Sequence, residues 1–311
     1  MTASLIIATR ESPLALWQAK HVESRLRDRY PGLQTRLLGL TTKGDQILDT
    51  SLSKIGGKGL FVKELELALE TGDADIAVHS LKDVPMHLPP GFVIAAIAER
   101  EDPRDAFVSN TFPNLESLPT GSRVGTSSLR RESQIRAKFP SLRVLPLRGN
   151  VQTRMRKLDE GQFEAIILAA AGLKRLGLAG RIRGLLSPDQ SLPAVGQGAL
   201  GIECRAERKD LIELVAPLED TQTRWCVEAE RALGRALGGS CQVPLGGYAE
   251  IQQGRARLRG FVASADGSRM VSDQLSCPVS ESPQGLGAAL AARLVASGAR
   301  EILDALAGGS P

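Results

Sequence analysis

Asp75-Ile76-Ala77-Val78-His79-Ser80-Leu81-Lys82-Asp83-Val84-Pro85 is the stretch on which the reading of the fold turns. Ile76, Ala77 and Val78 form a short continuous apolar run, the pattern of a strand buried on both faces. His79, Ser80, Lys82 and Asp83 follow as a polar cluster, closed by Pro85. In open α/β sheets, ligands bind just beyond the carboxyl ends of strands. A titratable cluster there has two readings: a working site, or a surface turn with Lys82 and Asp83 in solvent. The stretch alone leaves both open.

Upstream, residues 4–9 read as a strand that runs into Thr9-Arg10-Glu11-Ser12-Pro13. Ser12 is placed as a helix N-cap with Pro13 at the first helical position. Leu14, Trp17, Val22 and Leu26 then mark one face of a helix to about Tyr30. Pro31-Gly32 breaks it, and Leu33 to Leu40 is a second strand. Residues 46–59 carry no periodicity and end in Ile55-Gly56-Gly57-Lys58-Gly59. A helix is expected from near Gly59, with Phe61, Leu65, Ala68 and Leu69 inward, stopping at Gly72. Downstream of the opening stretch, Phe92 to Ala98 is another strand.

Glu99 to Asp105, charged and containing Pro103, reads as a crossing to a second domain. There strands at 106–109, 122–125, 142–146 and 164–169 alternate with helices at 128–138, 151–160 and 170–178. Such alternation predicts doubly wound parallel or mixed sheets. Pro193 to Gly198 reads as a second crossing, and Gly198 to Arg205 as a strand rejoining the first domain. A long helix over Thr221 to Leu237 ends at Gly238-Gly239. Strands near 245–250, 255–263 and 269–276 and helices at about 284–297 and 299–307 finish the chain as α+β. The expected class is α/β with a first lobe of 1–98 plus 198–217, a second of 104–193, and a smaller α+β domain of 221–311.

The chain has 311 residues, too many for one ordinary core. Its 42% hydrophobic and 24% charged residues are those of a globular protein. Aromatic residues make up only 4%, which argues against base-stacking surfaces. The net charge is +4, but the arginines are dispersed with no basic run, so a small polyanion fits better than nucleic acid. The N-terminus has no basic and apolar signal pattern, and no stretch approaches the roughly 20 apolar residues of a membrane span. A cytoplasmic protein with no membrane partner is expected. The four cysteines, Cys204, Cys226, Cys241 and Cys277, form no CxxC pair, and only His21, His79 and His87 could join them. Neither a metal site nor a disulfide framework is expected.

Basic residues recur where helices are expected to start. Arg10 precedes the Ser12 cap, and Lys58 precedes the next helix. Arg130 and Arg131 follow Thr126-Ser127-Ser128, while Arg148 and Arg154 flank Asn150, an expected cap. A cation there opposes the helix dipole by a few tenths to about 1 kcal/mol. One such residue means little; a repeated pattern points to a bound anion that free N–H groups also hold. The alternative is solvated lysines and arginines. On the anion reading, Arg10, Lys54, Lys58, Arg130, Arg131, Arg148 and Arg154 share a ligand bearing several carboxylates or phosphates. Ser12, Thr126, Ser127 and Ser128 add hydroxyls. The glycines at 56, 57 and 59 lack phosphate-loop spacing, so nucleotide binding is not indicated. Cys241, in Gly239-Ser240-Cys241-Gln242-Val243-Pro244, is either an exposed nucleophile or attachment point, or a small buried hydrophobe. On spacing alone the second is the commoner fate. Cys204, Cys226 and Cys277 read as buried, and His21 as structural. His79, near Asp83, has no evident nucleophile to serve.

The string His79 to Pro85 resembles the catalytic segment of the porphobilinogen deaminase (hydroxymethylbilane synthase) family. Ile7 to Ala15 resembles that family's first strand and helix start. Gly56 to Phe61, Gly125 to Arg131 and Leu147 to Val151 resemble its substrate-binding loops. Glu230-Arg231 through Pro244 resembles its cofactor-attachment signature, with Ser240 where the family also uses glycine. The resemblance runs in order from about residue 5 to 250.

It implies two periplasmic-binding-protein-like lobes with the active site in the cleft between them, and a third domain carrying the cysteine. It implies a dipyrromethane cofactor joined by thioether to Cys241 and made from the substrate itself. Four porphobilinogens are condensed head to tail with loss of ammonia, and the linear tetrapyrrole is released by hydrolysis. Asp83 is then the catalytic carboxylate. Ser80, Lys82, Asp83, Thr126, Ser128, Arg130 and Arg131 hold the cofactor. Arg10, Ser12, Lys54, Lys58, Phe61, Arg148, Arg154 and Arg175 hold substrate, and the protein is a monomer. Two other readings remain: a non-catalytic bilobal anion-binding protein, and a thiol-dependent hydrolase using Cys241.

Overall fold

Each apolar run of the chain is short enough for a strand, and a turn or cap then releases it into the next element. The computed structural model describes residues 4–46, 59–239 and 243–308. β1 (Ser4–Arg10) leads into α1 (Pro13–Arg29), β2 (Gln34–Leu40), the single turn α2 (Lys43–Gln46), α3 (Lys63–Thr71), β3 (Ile76–Ser80) and β4 (Phe92–Ile97). β5 (Asp105–Val108), β6 (Arg123–Gly125), α4 (Leu129–Lys138), β7 (Arg143–Leu145), α5 (Val151–Asp159), β8 (Ala165–Ala169), α6 (Ala170–Arg175) and β9 (Gly184–Leu186) follow. Then come β10 (Leu200–Arg205), α7 (Lys209–Val215) and α8 (Thr221–Ala236). β11 (Leu245–Gln252), β12 (Arg255–Ala263), β13 (Met270–Pro278), α9 (Pro283–Leu294) and α10 (Arg300–Gly308) complete the chain.

Two five-stranded sheets have the orders β2-β1-β3-β10-β4 and β7-β6-β8-β5-β9. In the first, β1, β2 and β3 are parallel and β10 is antiparallel to both its neighbours. In the second, β6, β7 and β8 are parallel and β5 is antiparallel to both of its own. The two sheets therefore share one plan, and in each the reversed strand is the one that follows a crossing segment. This is the mixed α/β architecture that the alternation predicts, and the likeness of the two sheets is what the resemblance implies. The third sheet, β11-β12-β13, is antiparallel throughout. The described residues fall into two compact units. One holds the first sheet; the other holds residues 102–197 together with the C-terminal residues from 225 on. Among the described residues no helix is long and apolar enough to cross a membrane.

The alternation of strand side chains lets both faces of the first sheet be covered. Ile7, Ile76, Val78 and Ile202 pack with Ala19, Val22 and Leu26 of α1 and Leu211 and Val215 of α7. Ala8 and Ala77 face Leu65, Ala68 and Leu69 of α3 on the other side. The second sheet is filled likewise, by Val108, Ile166 and Leu168 against Met155, Leu158 and Leu173, and by Phe107, Val124 and Ile167 against Ile135. In the third, a side chain at Gly287 of α9 would overlap the Ala229 carbonyl of α8, so glycine sets that helix contact.

Several expectations need correction. The helix expected near Gly59 begins at Lys63: Gly59 has φ +77° and starts a turn, with Val62 N–H donating to its carbonyl at 3.1 Å. Phe61 thus lies ahead of the helix. α6 ends at Arg175, while α2, α7 and β9 have no counterpart in the sequence reading. The last two helices are joined by a π-helical turn, Val295–Ala299, with Gly298 at φ 102°. His79 is a buried member of β3, not part of the polar turn. Lys54, Lys58 and Cys241 lie outside the described residues.

Candidate active site

Parallel neighbours put their carboxyl ends at the same edge of a sheet. β1 pairs with β3 through Ile7–Ile76 and Ala8–Ala77, so Arg10 and Ser12 come to the edge where the opening stretch leaves its strand. There Leu81–Asp83 form a single 3₁₀ turn. Leu81 is buried, and its N–H donates to the Ala199 carbonyl at 3.0 Å, which anchors the turn and leaves Lys82 and Asp83 half-buried. Arg10, Ser12, Gln18, Phe61, Ser80 and Asp83 line one pocket, with His79 in its wall. Ser12 caps α1, its Oγ accepting from Ala15 N–H at 3.3 Å, and Pro13 sits in the first turn as expected. Gln18 Nε2 donates to Ser80 Oγ at 2.8 Å.

Arg10 has an internal partner that the sequence did not disclose. Its Nε donates to Asp45 Oδ2 at 3.0 Å, and its Nη2 is bound to Oδ1 of the same carboxylate. Its guanidinium lies 4.3 Å from the centroid of the Phe61 ring. A side chain at Gly44 would overlap that ring, so the Thr42-Lys43-Gly44-Asp45 segment needs its glycine to seat Phe61. Burial alone would push the Asp45 carboxyl up; hydrogen bonds from Arg10 and Thr42 outweigh it and hold the carboxyl down. A threonine three residues before an aspartate was the available signal: Thr42 Oγ1 donates to Asp45 Oδ2 at 2.7 Å.

In the second unit the carboxyl ends of β6 and β7 bring two loops together. Ser127 Oγ donates to the Leu147 carbonyl at 2.9 Å and accepts from Leu147 N–H at 3.0 Å. Ser128 N–H donates to Thr126 Oγ1 at 3.2 Å. Asn150 caps α5 as expected, accepting from Thr153 N–H at 2.9 Å, and Arg154 Nε donates to the Gly149 carbonyl at 2.8 Å. Arg148, Arg154 and Arg175 are all half-buried. Burial pushes the Arg148 guanidinium down from its usual range.

Arg130 and Arg131 differ from the exposed cations expected at a helix start. Both are buried and ion-paired to Asp105, at 2.9 and 2.7 Å. Asp105 is fully buried, and it also accepts from Gln197 Nε2 at 2.9 Å and Ser191 Oγ at 2.7 Å. Burial would push its carboxyl up; the two guanidiniums overcome this and hold it far below the usual range. The anion that the helix start called for is thus partly internal. Two guanidiniums on one carboxylate still leave a positive charge in excess. In the sequence Asp105 closes a charged crossing; its signal is an acid directly ahead of the apolar run Ala106-Phe107-Val108.

The remaining candidates behave as read. Cys204, Cys226 and Cys277 are buried, and burial pushes the Cys204 thiol up to about 11. His21 stacks on Trp17 with ring centroids 5.1 Å apart.

Comparison with known proteins bears on the identity of the site. Residues 5–213 match the family model described as porphobilinogen deaminase, dipyromethane cofactor binding domain, and residues 225–296 match the porphobilinogen deaminase C-terminal domain. The chain is 67% identical to the porphobilinogen deaminase of Nitrosomonas europaea, covering 97% of this chain and 98% of that one. It is 64% identical to the porphobilinogen deaminase of Methylobacillus flagellatus, covering 97% of each. Among solved structures it is similar to the methionine binding protein MetQ, at 15% identity and a TM-score of 0.45, over 71% of this chain and 90% of that one. With both family models matched in order along the chain, this protein belongs to the porphobilinogen deaminase family.

Proposed function

We propose that the protein condenses four porphobilinogen molecules head to tail into hydroxymethylbilane, releasing ammonia at each step, in tetrapyrrole biosynthesis. The observation that carries this reading is the pocket that sets Asp83 beside Arg10, Ser12, Phe61 and Ser80 in a chain of this family. In this reading the protein is a cytoplasmic monomer with porphobilinogen as its partner. Its catalytic carboxylate lies in a first domain, its acid-binding residues in a second, and its attachment cysteine in a third.

A dipyrromethane carries pyrrole N–H donors, flat ring faces and carboxylates, and the described residues suit each. Asp83 supplies an acceptor and Phe61 a ring face. Arg10, Ser12 and Ser80, and in the second unit Thr126, Ser128 and the positive excess at Arg130 and Arg131, supply partners for acids. Joined to Cys241, the group supplies the pyrrole carbon to which the first substrate is coupled. Lys82, beside Asp83, adds a cation for cofactor acids. Arg148, Arg154 and Arg175, with Lys54 and Lys58, bind acetate and propionate groups of incoming substrate. Asp83 accepts hydrogen bonds from pyrrole N–H groups and passes a proton to the departing amine. Its charge stabilises the cation left on the substrate ring, and it then takes up the proton released where two rings join.

Intact mass tests the assignment. Purified protein is expected to be heavier than its sequence by one dipyrromethane, and Cys241→Ser is expected to remove the increment together with activity. Recovery of unmodified, fully active protein would sink the cofactor assignment. A second expectation concerns release of product. Arg148→Leu is expected to slow turnover about tenfold or more and to accumulate partly extended chains, seen as further mass increments on the protein. Normal product release by that variant would count against the role of Arg148.

A further inference from the structure

Behind the Asp83 turn lies a buried titratable cluster that the mechanism above does not use. His79 is the fourth residue of β3 and faces away from Ser80. Its Nε2 lies 2.8 Å from Glu203 Oε2 on β10, an ion-pair approach without aligned hydrogen-bond geometry, with both side chains buried. Glu66 of α3 is buried as well, and its charge is felt alongside those of Glu203, His79 and Lys63. Two strands thus bring a buried ion pair into the layer where Leu65, Ala68 and Leu69 of α3 pack on Ala8 and Ala77, with the buried Glu66 carboxylate electrostatically coupled to it.

Burying charged groups is costly, and a buried ion pair adds little stability over apolar side chains of the same volume. Fold stability is therefore a weak reason for these residues. Their place is more informative. Pairing of β3 with β10 ends at Ser80–Leu200, one residue beyond His79. His79 is the last inward side chain before the turn that carries Asp83, and it also forms part of the wall of the same pocket.

We propose that His79, clamped to Glu203 and flanked by Glu66, is a positioning residue that fixes the exit of β3 and hence the Ser80–Asp83 turn for turnover. This rests on the assignment of Asp83 above. Side-chain anchoring of β3 to β10 sets the twist at which the strand leaves the sheet, and a misplacement of about 1 Å at a reacting group is enough to cost about 10²-fold in rate. Glu66 makes the clamp sensitive to pH. Burial and the Glu203 carboxylate push its carboxyl up, against the pull of His79 and Lys63. Protonated, Glu66 adds no charge. Ionised as pH rises, it competes with Glu203 for His79 and loosens the clamp.

The test uses the full-length, cofactor-bearing enzyme, with loading read by intact mass, folding by thermal melting, and kcat and KM with porphobilinogen across pH. His79→Leu is expected to lower kcat about 30-fold per loaded molecule with KM within about twofold. His79→Gln, whose amide can donate to Glu203, is expected to recover kcat to within about threefold of wild type. Glu66→Gln cannot ionise, and the fall in kcat that accompanies Glu66 ionisation in wild type is expected to be absent or to move up by at least about half a pH unit. A His79→Leu enzyme that melts lower yet turns over normally, a His79→Gln enzyme no better than His79→Leu, or an unchanged Glu66→Gln profile each overturns the proposal. Should His79→Leu fail to fold, the Glu66→Gln profile decides. Absence of product from wild type would refute the function itself. Active wild type, inactive Asp83→Asn and normal His79→Leu would refute the clamp alone.

Discussion

Asp83→Asn is expected to fold normally, to retain its affinity for polyanions, and to lose about 10²–10⁴-fold in turnover. The fold is spared because the turn is anchored elsewhere. Leu81 is buried, its N–H is bonded to Ala199, and Val84 N–H donates to the Leu81 carbonyl at 3.2 Å. The half-buried side chain at 83 contributes to none of these bonds, so stability should change by no more than about 0.5 kcal/mol. Chemistry is not spared. An amide keeps the shape of the carboxylate but holds no charge opposite a developing cation and neither gives nor takes a proton at neutral pH. Asp83→Glu restores charge and basicity one methylene further out, so it should fall between the two. Single-turnover release of ammonia from porphobilinogen measures both. Near-normal turnover by Asp83→Asn would refute its catalytic role, whatever the mass of the protein.

The parts of this molecule that were legible in the sequence are those set by neighbours along the chain. β1, β3 and β10 announce themselves as apolar runs. Ser12-Pro13 and Asn150 announce helix starts, because a cap is a bond between residues three apart. The alternation of strands and helices also gave the mixed sheets and the α+β end; the likeness of the two lobes came from the family resemblance. Partners chosen by strand order were not legible. Asp45 meets Arg10, and Asp105 meets Arg130 and Arg131, only once the sheets have assembled. Glu203 meets His79 only because β10 returns to lie beside β3. The pattern of cations at helix starts was real, but two of its anions proved to be the protein's own. Phe61 falls ahead of the helix in which the periodicity places it, because one left-handed glycine at 59 inserts a turn that hydrophobic periodicity does not register. The roles of Asp83 and Cys241 came from family resemblance. Residue type and spacing reached only an anion site with a carboxylate in it.

Asp105→Ala is expected to be the most damaging substitution to stability in the second unit, at about 3–5 kcal/mol. The cost comes from uncompensated buried charge. Arg130 and Arg131 are 4% and 6% exposed, so neither guanidinium can turn to water when its carboxylate is removed. Arg131 would keep the Ile167 carbonyl, which its Nη1 reaches at 3.1 Å, and Gln197 and Ser191 would each lose an acceptor. Asp105→Asn restores shape and some hydrogen bonds but leaves two like charges side by side, so it should be damaging too. The same pair sets the acid sensitivity of the unit. The folded carboxyl lies below its unfolded value, so its contribution is complete above the unfolded range near pH 4 and is lost as pH falls towards the lowered folded value. Wild type should therefore lose stability on acidification through that window, while Asp105→Ala, already lacking the carboxylate, should lose less. Urea unfolding at pH 7 and at about pH 2.5, inside that window, measures both effects. Equal midpoints for wild type and Asp105→Ala at pH 7 would show that the arginines need no internal anion.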